Sequence, residues 1–355
     1  MKIDFLIIGQ GLAGSLLAWE LIQRGCRVVI VDNGKENASK VAAGLINPVT
    51  GMRFVKTEGV DILLPAALDL YEVLNQFFKQ QFFIEKTLLR ILKSDEEKSI
   101  AAKRINNPEY RDYIKGIQSF ADADLNIKAL FGFVEQKQTG FLLTRPLLEC
   151  LKEFFISNNS YRQSDFDYRD VEFLPSLRWQ YIYPRQIIFC EGAMATQNPW
   201  FSWLPLQPVK GEILTLQHKM ELPDKILNFG NWLIPLSPER IRVGATFDRE
   251  NLNTKTTDQG KNEILESLGK LCDGITISVI TEHEAGIRPC TMDRHPFIGN
   301  HPIHEQLSIF NGFGAKGSLQ IPWYCKQLAD KLSGSYPLPV SCNINRHLKS
   351  HFVKQ

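Results

Sequence analysis

Residues 3–32 read IDFLIIGQGLAGSLLAWELIQRGCRVVIVD and set the fold class. The apolar run at 3–8 is typical of a buried parallel strand, and residues 15–23 place leucines and a tryptophan at helical spacing. Gly25 ends this helix, and a second apolar run at 27–31 ends at Asp32. The stretch therefore predicts a strand, a helix and a second strand, as in an α/β fold.

Three glycines form the turn before the helix, in the order Gly9-Gln10-Gly11-Leu12-Ala13-Gly14. The first permits a tight turn, the second lets backbone amides approach a pyrophosphate, and the third lets helix and strand pack closely. The helix N-terminus then faces phosphate groups. Asp32 ends the second strand, where a carboxylate accepts hydrogen bonds from an adenosine ribose and repels the 2′-phosphate of NADP. The pattern predicts FAD or NAD, bound by Gly9, Gly11, Leu12, Ala13, Gly14 and Asp32.

The composition is that of a globular protein. The chain has 355 residues, with 44% hydrophobic and 23% charged residues and a formal charge of +2. These values exclude a disordered or fibrous chain, and they indicate no concentrated basic face for nucleic acid. The 7 cysteines lack the spacing of a disulfide framework, so we expect a reducing cytoplasm. No apolar run approaches the roughly 20 residues of a membrane span.

A small-residue segment follows the second strand: Ser39-Lys40-Val41-Ala42-Ala43-Gly44-Leu45-Ile46-Asn47-Pro48. It resembles the corresponding stretch of the D-amino-acid oxidase family of FAD enzymes, especially the glycine oxidases, in which small residues let the backbone close over the diphosphate and the flavin. The resemblance implies cofactor contacts for Ser39, Ala43, Gly44 and Leu45. The residues alone leave open an ordinary loop that leads to the next helix.

Further segments match this family in the same order, so the resemblance covers nearly the whole chain. Residues 189–193 (FCEGA) resemble the strand-to-turn element beside the flavin, which implies a contact for Gly192. Residues 311–317 (NGFGAKG) resemble the last glycine loop, whose helix directs its positive end at the flavin and stabilises the anionic reduced ring. This implies cofactor contacts for Gly312, Gly314, Ala315, Lys316 and Gly317.

The strongest match is Ala285-Gly286-Ile287-Arg288-Pro289. The resemblance implies that Arg288 binds the substrate carboxylate. A guanidinium offers two parallel donors to two carboxylate oxygens, and such a charge-assisted bond contributes roughly 1.5 to 3 kcal/mol. A surface or ion-paired arginine is the alternative.

The chain also departs from the glycine oxidases. Trp232 stands where they have a substrate-contacting tyrosine, and Ala315 stands where they have a second arginine, with the basic residue one place later as Lys316. This arrangement is closer to the oxidase half of the bacterial bifunctional enzymes that modify the tRNA wobble uridine. We therefore expect Trp232 to wall the pocket, count Lys316 among the catalytic candidates, and leave tRNA open as a partner.

Lys210 and Arg242 are the basic residues expected nearest the flavin ring, where a cation stabilises superoxide as oxygen is reduced. A strand residue that points outward is the alternative. The histidines at 295, 301 and 304 share a loop but have no recognised metal-site spacing, so we expect no metal. The spacing of Cys290 does not match a flavin-linked cysteine of the family, which implies non-covalent FAD.

The resemblance implies an α/β protein, α+β overall, of two interleaved domains. A Rossmann-like FAD-binding domain takes residues 1–60, 140–200 and 286–355, and a smaller substrate domain with a mixed sheet takes residues 61–139 and 201–285.

The implied function is oxidation of a carbon–nitrogen bond of an amino acid or secondary amine by hydride transfer to the flavin, with oxygen or another compound as electron acceptor. One alternative is removal of the carboxymethyl group from a tRNA wobble uridine. A flavin-binding scaffold or sensor without catalysis is the alternative from another class.

Overall fold

The computed structural model describes residues 1–119, 127–272 and 279–352. Within this part of the chain the α-helices are α1 (Leu12–Gln23), α2 (Ala38–Val41), α3 (Val60–Phe78), α4 (Asp95–Ile105), α5 (Thr144–Ser157), α6 (Asp258–Leu271), α7 (Gly317–Leu332) and α8 (Leu348–His351). The helix predicted from Ser15 starts at Leu12, because the glycine turn itself forms the first helical turn.

The strands of the same residues fall into several sheets. In chain order they are β1 (Lys2–Ile8), β2 (Val28–Asp32), β3 (Leu45–Ile46), β4 (Val49–Thr50), β5 (Val55–Lys56), β6 (Phe83–Glu85), β7 (Leu88–Ile91), β8 (Ile114–Gln118), β9 (Phe133–Gln136), β10 (Gly140–Leu142), β11 (Tyr161–Gln163), β12 (Val171–Glu172), β13 (Arg178–Trp179), β14 (Tyr183–Phe189), β15 (Val209–Gln217), β16 (Ile226–Asn228), β17 (Trp232–Ser237), β18 (Arg240–Gly244), β19 (Val279–Arg288), β20 (Phe297–Asn300) and β21 (Leu307–Asn311).

The first sheet has the order β11-β2-β1-β14-β21-β20 and is parallel except for β20. Its central strand β1 is buried on both faces, which explains the unbroken apolar run in its sequence. Phe5 and Ile7 pack with residues of α1, α3, α5 and α7, whereas Leu6 and Ile8 pack with Trp179 on the other face. The carboxyl ends of β1 and β14 lie side by side, where ligands bind in sheets of this kind.

The second sheet has the order β19-β15-β18-β17-β16-β7-β9-β8, and only the pair β16 and β7 is parallel. One face is covered by α6, where Ile264 and Leu268 pack against Leu214 and Val243. The other face contacts α2, which belongs to the predicted FAD-binding domain, because an ideal Cβ on Gly286 would lie 3.1 Å from Cα of Ala38. A parallel-stranded sheet beside a mixed sheet confirms the predicted fold class, while the domain bounds stay a prediction.

Helix α7 carries Pro322 as its sixth residue. Proline has no N–H, so the carbonyl of Ser318, four residues earlier, has no intrahelical donor. The buried Tyr71 hydroxyl of α3 donates to this carbonyl at 2.6 Å. A bond between two helices therefore replaces the bond that the proline removes.

Candidate active site

The glycine turn lies where β1 and β14 end. Gly9 has φ +104°, which a residue with a side chain rarely adopts. An ideal Cβ on Gly9 would lie 2.6 Å from the Cys190 carbonyl oxygen, and one on Gly14 would lie 1.9 Å from the Gly9 carbonyl oxygen. Both positions therefore require glycine, because the backbones of β1, β14 and α1 approach one another closely.

The N-terminus of α1 offers backbone donors at this turn. The Leu12 N–H donates to Ser39 Oγ at 2.9 Å, whereas the described residues provide no partner for the N–H groups of Ala13 and Gly14. Asp32 accepts from the N–H of Gln10 at 2.9 Å and from that of Gly34 at 2.7 Å, so its carboxylate supports the turn. Free amides and a helix dipole form a cradle that fits a diphosphate.

The segment after β2 is held against this cradle. The Asn37 side chain accepts from the Ser39 N–H at 3.0 Å and starts α2, which directs Ser39 Oγ toward α1. Gly44 accepts from the Leu142 N–H at 3.0 Å, and an ideal Cβ on Gly44 would lie 2.0 Å from the Leu142 carbonyl oxygen. Ala43 and Leu45 pack in one apolar cluster with Trp232. The predicted flavin segment and the predicted pocket wall are thus in the same place.

Segments from the far end of the chain converge on the same region. The Asn311 side chain donates to the Gly192 carbonyl at 2.8 Å, and the Gly312 N–H donates to Asn311 Oδ1 at 2.9 Å. The Gly314 N–H donates to the Pro289 carbonyl at 3.1 Å. The loop after β14, the glycine loop and the segment after Arg288 therefore meet, as the resemblance implied.

Helix α7 starts at Gly317, beside α1, and Ala315 and Lys316 precede it in a short 3₁₀ turn. Lys316 Nζ donates to the buried Thr57 Oγ1 at 3.0 Å and has no carboxylate partner among the described residues. Burial lowers the pKa of Lys316, and the nearby Arg294 lowers it further. Lys316 is thus a partly buried cation at a helix N-terminus, where both the charge and the dipole attract anions.

The register of the second sheet places the substrate-site candidates on one face. Strand β15 pairs with β19 and β18, and β18 pairs with β17. Because cross-strand partners share a face and side chains alternate along a strand, Arg288, Gly211, Gly244, Arg242 and Trp232 face the same way. This is the face that contacts α2 of the predicted FAD-binding domain.

The guanidinium of Arg288 lies across Gly211. An ideal Cβ on Gly211 would be 1.9 Å from Nη2 of Arg288, which itself donates to the Thr246 carbonyl at 3.1 Å. No carboxylate among the described residues pairs with this arginine, and burial lowers its pKa. An arginine keeps its charge at neutral pH even so. Arg288 is therefore a partly buried cation that is free to bind the carboxylate of a ligand.

Trp232 stands directly opposite Gly244. An ideal Cβ on Gly244 would lie 2.9 Å from Cζ2 of Trp232, so the indole covers the glycine. Its other contacts are with the cluster that contains Ala43 and Leu45. The tryptophan therefore closes the space between the second sheet and the predicted flavin segment.

Arg242 belongs to a network of hydrogen bonds and ion pairs that joins the second sheet to α2 and α5. Its Nη2 donates to Glu284 Oε2 at 2.6 Å and to the Val41 carbonyl at 3.0 Å, and Glu284 also accepts from Arg145 of α5 at 2.8 Å. A role near the flavin stays a prediction for Arg242. For Lys210 the prediction is wrong, because the alternation of β15 turns this buried lysine to the opposite face, 3.1 Å from Glu212.

Sequence reasoning missed Glu191 as a site residue. Its carboxylate accepts from the Tyr168 hydroxyl at 2.7 Å and from Asn198 Nδ2 at 2.8 Å. Burial raises the pKa of Glu191 to about 7, although both hydrogen bonds oppose this rise. Its Cα is 3.6 Å from the ideal Cβ position of Gly9. The signal in the sequence is an acidic residue two positions after the apolar strand that ends at Phe189.

A parallel sheet with a glycine turn at a helix N-terminus, beside a mixed sheet whose arginine has no carboxylate partner among the described residues, is typical of a two-domain dinucleotide-dependent oxidoreductase. The chain belongs to the DAO family of FAD-dependent oxidoreductases, whose model matches residues 4–145 and 169–331. This membership confirms the predicted family and FAD as the cofactor, and it favours an enzyme over a scaffold.

Individual relatives are distant. Glycine oxidase from Pseudomonas aeruginosa is 23% identical over 94% of this chain and 95% of its own length. The tRNA 5-methylaminomethyl-2-thiouridine biosynthesis bifunctional protein MnmC from Marinobacter nauticus is 25% identical over 92% of this chain, which spans only 55% of that protein. The crystal structure of glycine oxidase from Geobacillus kaustophilus has a TM-score of 0.80 at 20% identity and covers 95% of this chain and 96% of its own. At 20% identity, the similarity to this crystal structure shows a shared fold.

None of the helices in the described residues has both the length and the apolar character of a transmembrane helix. These residues also contain no group of three or more His, Cys, Asp or Glu side chains placed to hold a metal ion.

Proposed function

We propose that this protein oxidises the carbon–nitrogen bond of an amino acid or of a secondary amine that carries a carboxylate. The observation that carries the proposal is Arg288, a partly buried guanidinium without a carboxylate partner in the described chain, on the sheet face turned toward the nucleotide cradle. The similarity to a protein named glycine oxidase, over nearly the full length of both chains, supports this substrate class.

The residues that would hold FAD are those around the cradle. The unpartnered amides at the start of α1 and Ser39 Oγ suit the diphosphate, and Gly44 and the N-terminus of α7 suit the ring system. FAD, when bound, supplies the acceptor for the hydride that leaves the carbon beside the amine nitrogen.

The residues of the chain itself would position the substrate and provide positive charge around it. Arg288 would fix the substrate by its carboxylate, so that the carbon beside nitrogen has one orientation in the site. Trp232 would close the pocket on the side of Ala43 and exclude water. Lys316 would add a second positive charge on the side of the glycine loop.

The test compares Arg288→Ala and Arg288→Lys with the unchanged enzyme, with glycine and sarcosine as substrates. We expect kcat/KM to fall roughly 10- to 150-fold in Arg288→Ala, the equivalent of about 1.5 to 3 kcal/mol, with flavin still bound. Lysine should restore only part of the loss, because it lacks the planar pair of donors. Arg111→Ala, an exposed arginine near the opposite edge of the second sheet, is the control. Unchanged kinetics in Arg288→Ala would exclude this role.

A second candidate is oxidation of a modified wobble uridine in tRNA, by the same chemistry on a carboxymethylamino group. The similarity to MnmC over 92% of this chain favours it, as does the position of Lys316. Turnover of carboxymethylaminomethyl-modified tRNA, together with RNA binding that weakens steeply with salt, would distinguish it from turnover of free amines. For either substrate we propose a reducing cytoplasm as the location, and oxygen or another acceptor for the electrons.

A further inference from the structure

Three loops meet beside Arg288. They are the loop after β18, the segment after β19 and the turn before α7. The first is fixed by the Thr246 carbonyl, which binds Arg288, and by paired backbone hydrogen bonds between Lys210 and Asp248. The second is joined to the third through the Pro289 carbonyl and the Gly314 N–H. These contacts bring the three loops together next to Arg288.

Each loop carries a cation without a carboxylate partner among the described residues: Arg249, Arg294 and Lys316. The guanidinium of Arg249 lies over the ring of Phe247, 5.3 Å from its centre. Arg249 is close enough to Cys290, two residues after Arg288, to act on its thiol electrostatically. Arg294 is likewise close enough to act on Lys316.

No acidic side chain in the described part of these loops forms an ion pair with Arg249, Arg294 or Lys316. The Asp248 carboxylate accepts from the N–H groups of Glu250 and Asn251 and from the Asn251 amide. Asp293 pairs with Arg346 at 2.8 Å. The carboxylate of Glu250 is exposed to solvent. Arg346 balances Asp293, so two carboxylates, Asp248 and Glu250, stand against the four cations Arg288, Arg249, Arg294 and Lys316.

The same loops also expose apolar groups. Phe247 is 62% exposed and Met292 is 56% exposed, each close in sequence to one of the two exposed arginines. We call Phe247, Arg249, Met292 and Arg294 the rim. A rim that mixes cations and apolar side chains suits a substrate in which an alkyl spacer separates two anionic groups.

We propose that the rim binds a second anionic group, so that the preferred substrate is a small amine with one carboxylate for Arg288 and a further carboxylate or phosphate for Arg249 and Arg294. The inference rests on the proposed function and narrows its substrate class. Long-range attraction by such exposed cations weakens as salt screens it, which gives the preference a second signature.

The test uses the flavin-loaded enzyme and two isosteric amines: N-(2-carboxyethyl)glycine and its neutral amide, N-(2-carbamoylethyl)glycine. We expect kcat/KM to be about tenfold higher for the acid than for the amide at low salt, and the ratio to approach one in Arg249→Gln/Arg294→Gln. The ratio should also fall in the unchanged enzyme as salt is raised. Arg111→Gln removes an exposed arginine elsewhere and should keep the ratio.

The outcomes separate this inference from the function on which it rests. If the enzyme oxidises glycine, sarcosine or the amide, but kcat/KM is nearly the same for the acid and the amide, the proposed role of the rim is wrong. The proposal of amine oxidation would then still hold. A ratio that persists in the double variant would also overturn the role of the rim. Turnover of modified tRNA alone, or of none of the four amines glycine, sarcosine, the acid and the amide, would overturn both.

Discussion

The nucleotide cradle and the arginine-bearing sheet face are built in opposite ways. The cradle draws most of its parts from one continuous stretch, residues 9–44, in which Gly9 and Gly44 have positive φ and Gly14 lies against the Gly9 carbonyl oxygen. The sheet face combines Gly211, Trp232, Arg242 and Arg288 from separate strands, and only the register brings them together. A local motif thus builds the predicted cofactor site, whereas strand pairing builds the proposed substrate site, so substitutions in the two regions should have different effects.

The largest effect is expected from Gly14→Ala in the cradle. The new methyl group would lie 1.9 Å from the Gly9 carbonyl oxygen, a contact that only a shift of the backbone relieves. We expect the purified variant to lose its bound flavin, and its unfolding free energy to fall by about 1 to 3 kcal/mol or more. Flavin absorbance per protein and thermal unfolding measure the two effects.

Gly116→Ala is the matched control for glycine substitutions, because an ideal Cβ there meets nothing within 4 Å. Retention of full flavin content by Gly14→Ala would show that helix and strand can separate without cost, and the cradle would then not depend on close packing.

Gly211→Ala should break the sheet face and leave the cradle intact. Its methyl group would overlap the guanidinium of Arg288, which must then leave the Thr246 carbonyl. We expect kcat/KM for carboxylated amines to fall roughly 10- to 100-fold, close to the loss in Arg288→Ala, while flavin content stays normal. Steady-state kinetics and flavin absorbance on the same sample test this separation.

The double variant Gly211→Ala/Arg288→Ala supplies the sharper control. If Gly211 acts only by leaving room for the arginine, the double variant should be no worse than Arg288→Ala alone. Additive losses would contradict that reason for the glycine.

The same contrast explains what the sequence could predict. The sequence predicts the glycine turn, Asp32 and the last glycine loop because each motif is contiguous and has its own chemistry. It does not predict the face on which Lys210 lies. A shift of one residue along β15 exchanges Lys210 for Gly211, and neither residue has a side chain that marks an apolar face. Gly211 and Arg288 lie in neighbouring strands that are far apart in the sequence, so no local pattern could indicate their contact.

Glu191 lies where β14 ends beside the cradle and gives this region a pH dependence. Its pKa is about 7 in the fold against 4.5 ordinarily, so its stabilising contribution is complete below pH 4.5 and is lost as pH rises through 7. We expect the unfolding free energy to fall with pH in this window, by at most about 1 kcal/mol per pH unit.

Denaturant unfolding of the protein and of Glu191→Gln from pH 5 to pH 8 measures this contribution. The variant cannot ionise and should show a flatter profile, whereas Arg288→Ala should keep the original slope. Identical slopes in the protein and Glu191→Gln would mean that other groups set the pH dependence.

The smallest effect concerns the last element of the cradle, α7, and it depends on a contact that neither the cradle motif nor the strand register specifies. Tyr71→Phe would leave the Ser318 carbonyl without a donor, since Pro322 cannot supply one. We expect a loss of about 1 kcal/mol in unfolding free energy, and a small loss of flavin affinity because α7 begins at the glycine loop. Tyr336→Phe, at an exposed position, should change neither quantity. A loss in Tyr71→Phe that Pro322→Ala relieves would establish the cause, because alanine returns the intrahelical donor that the proline removed.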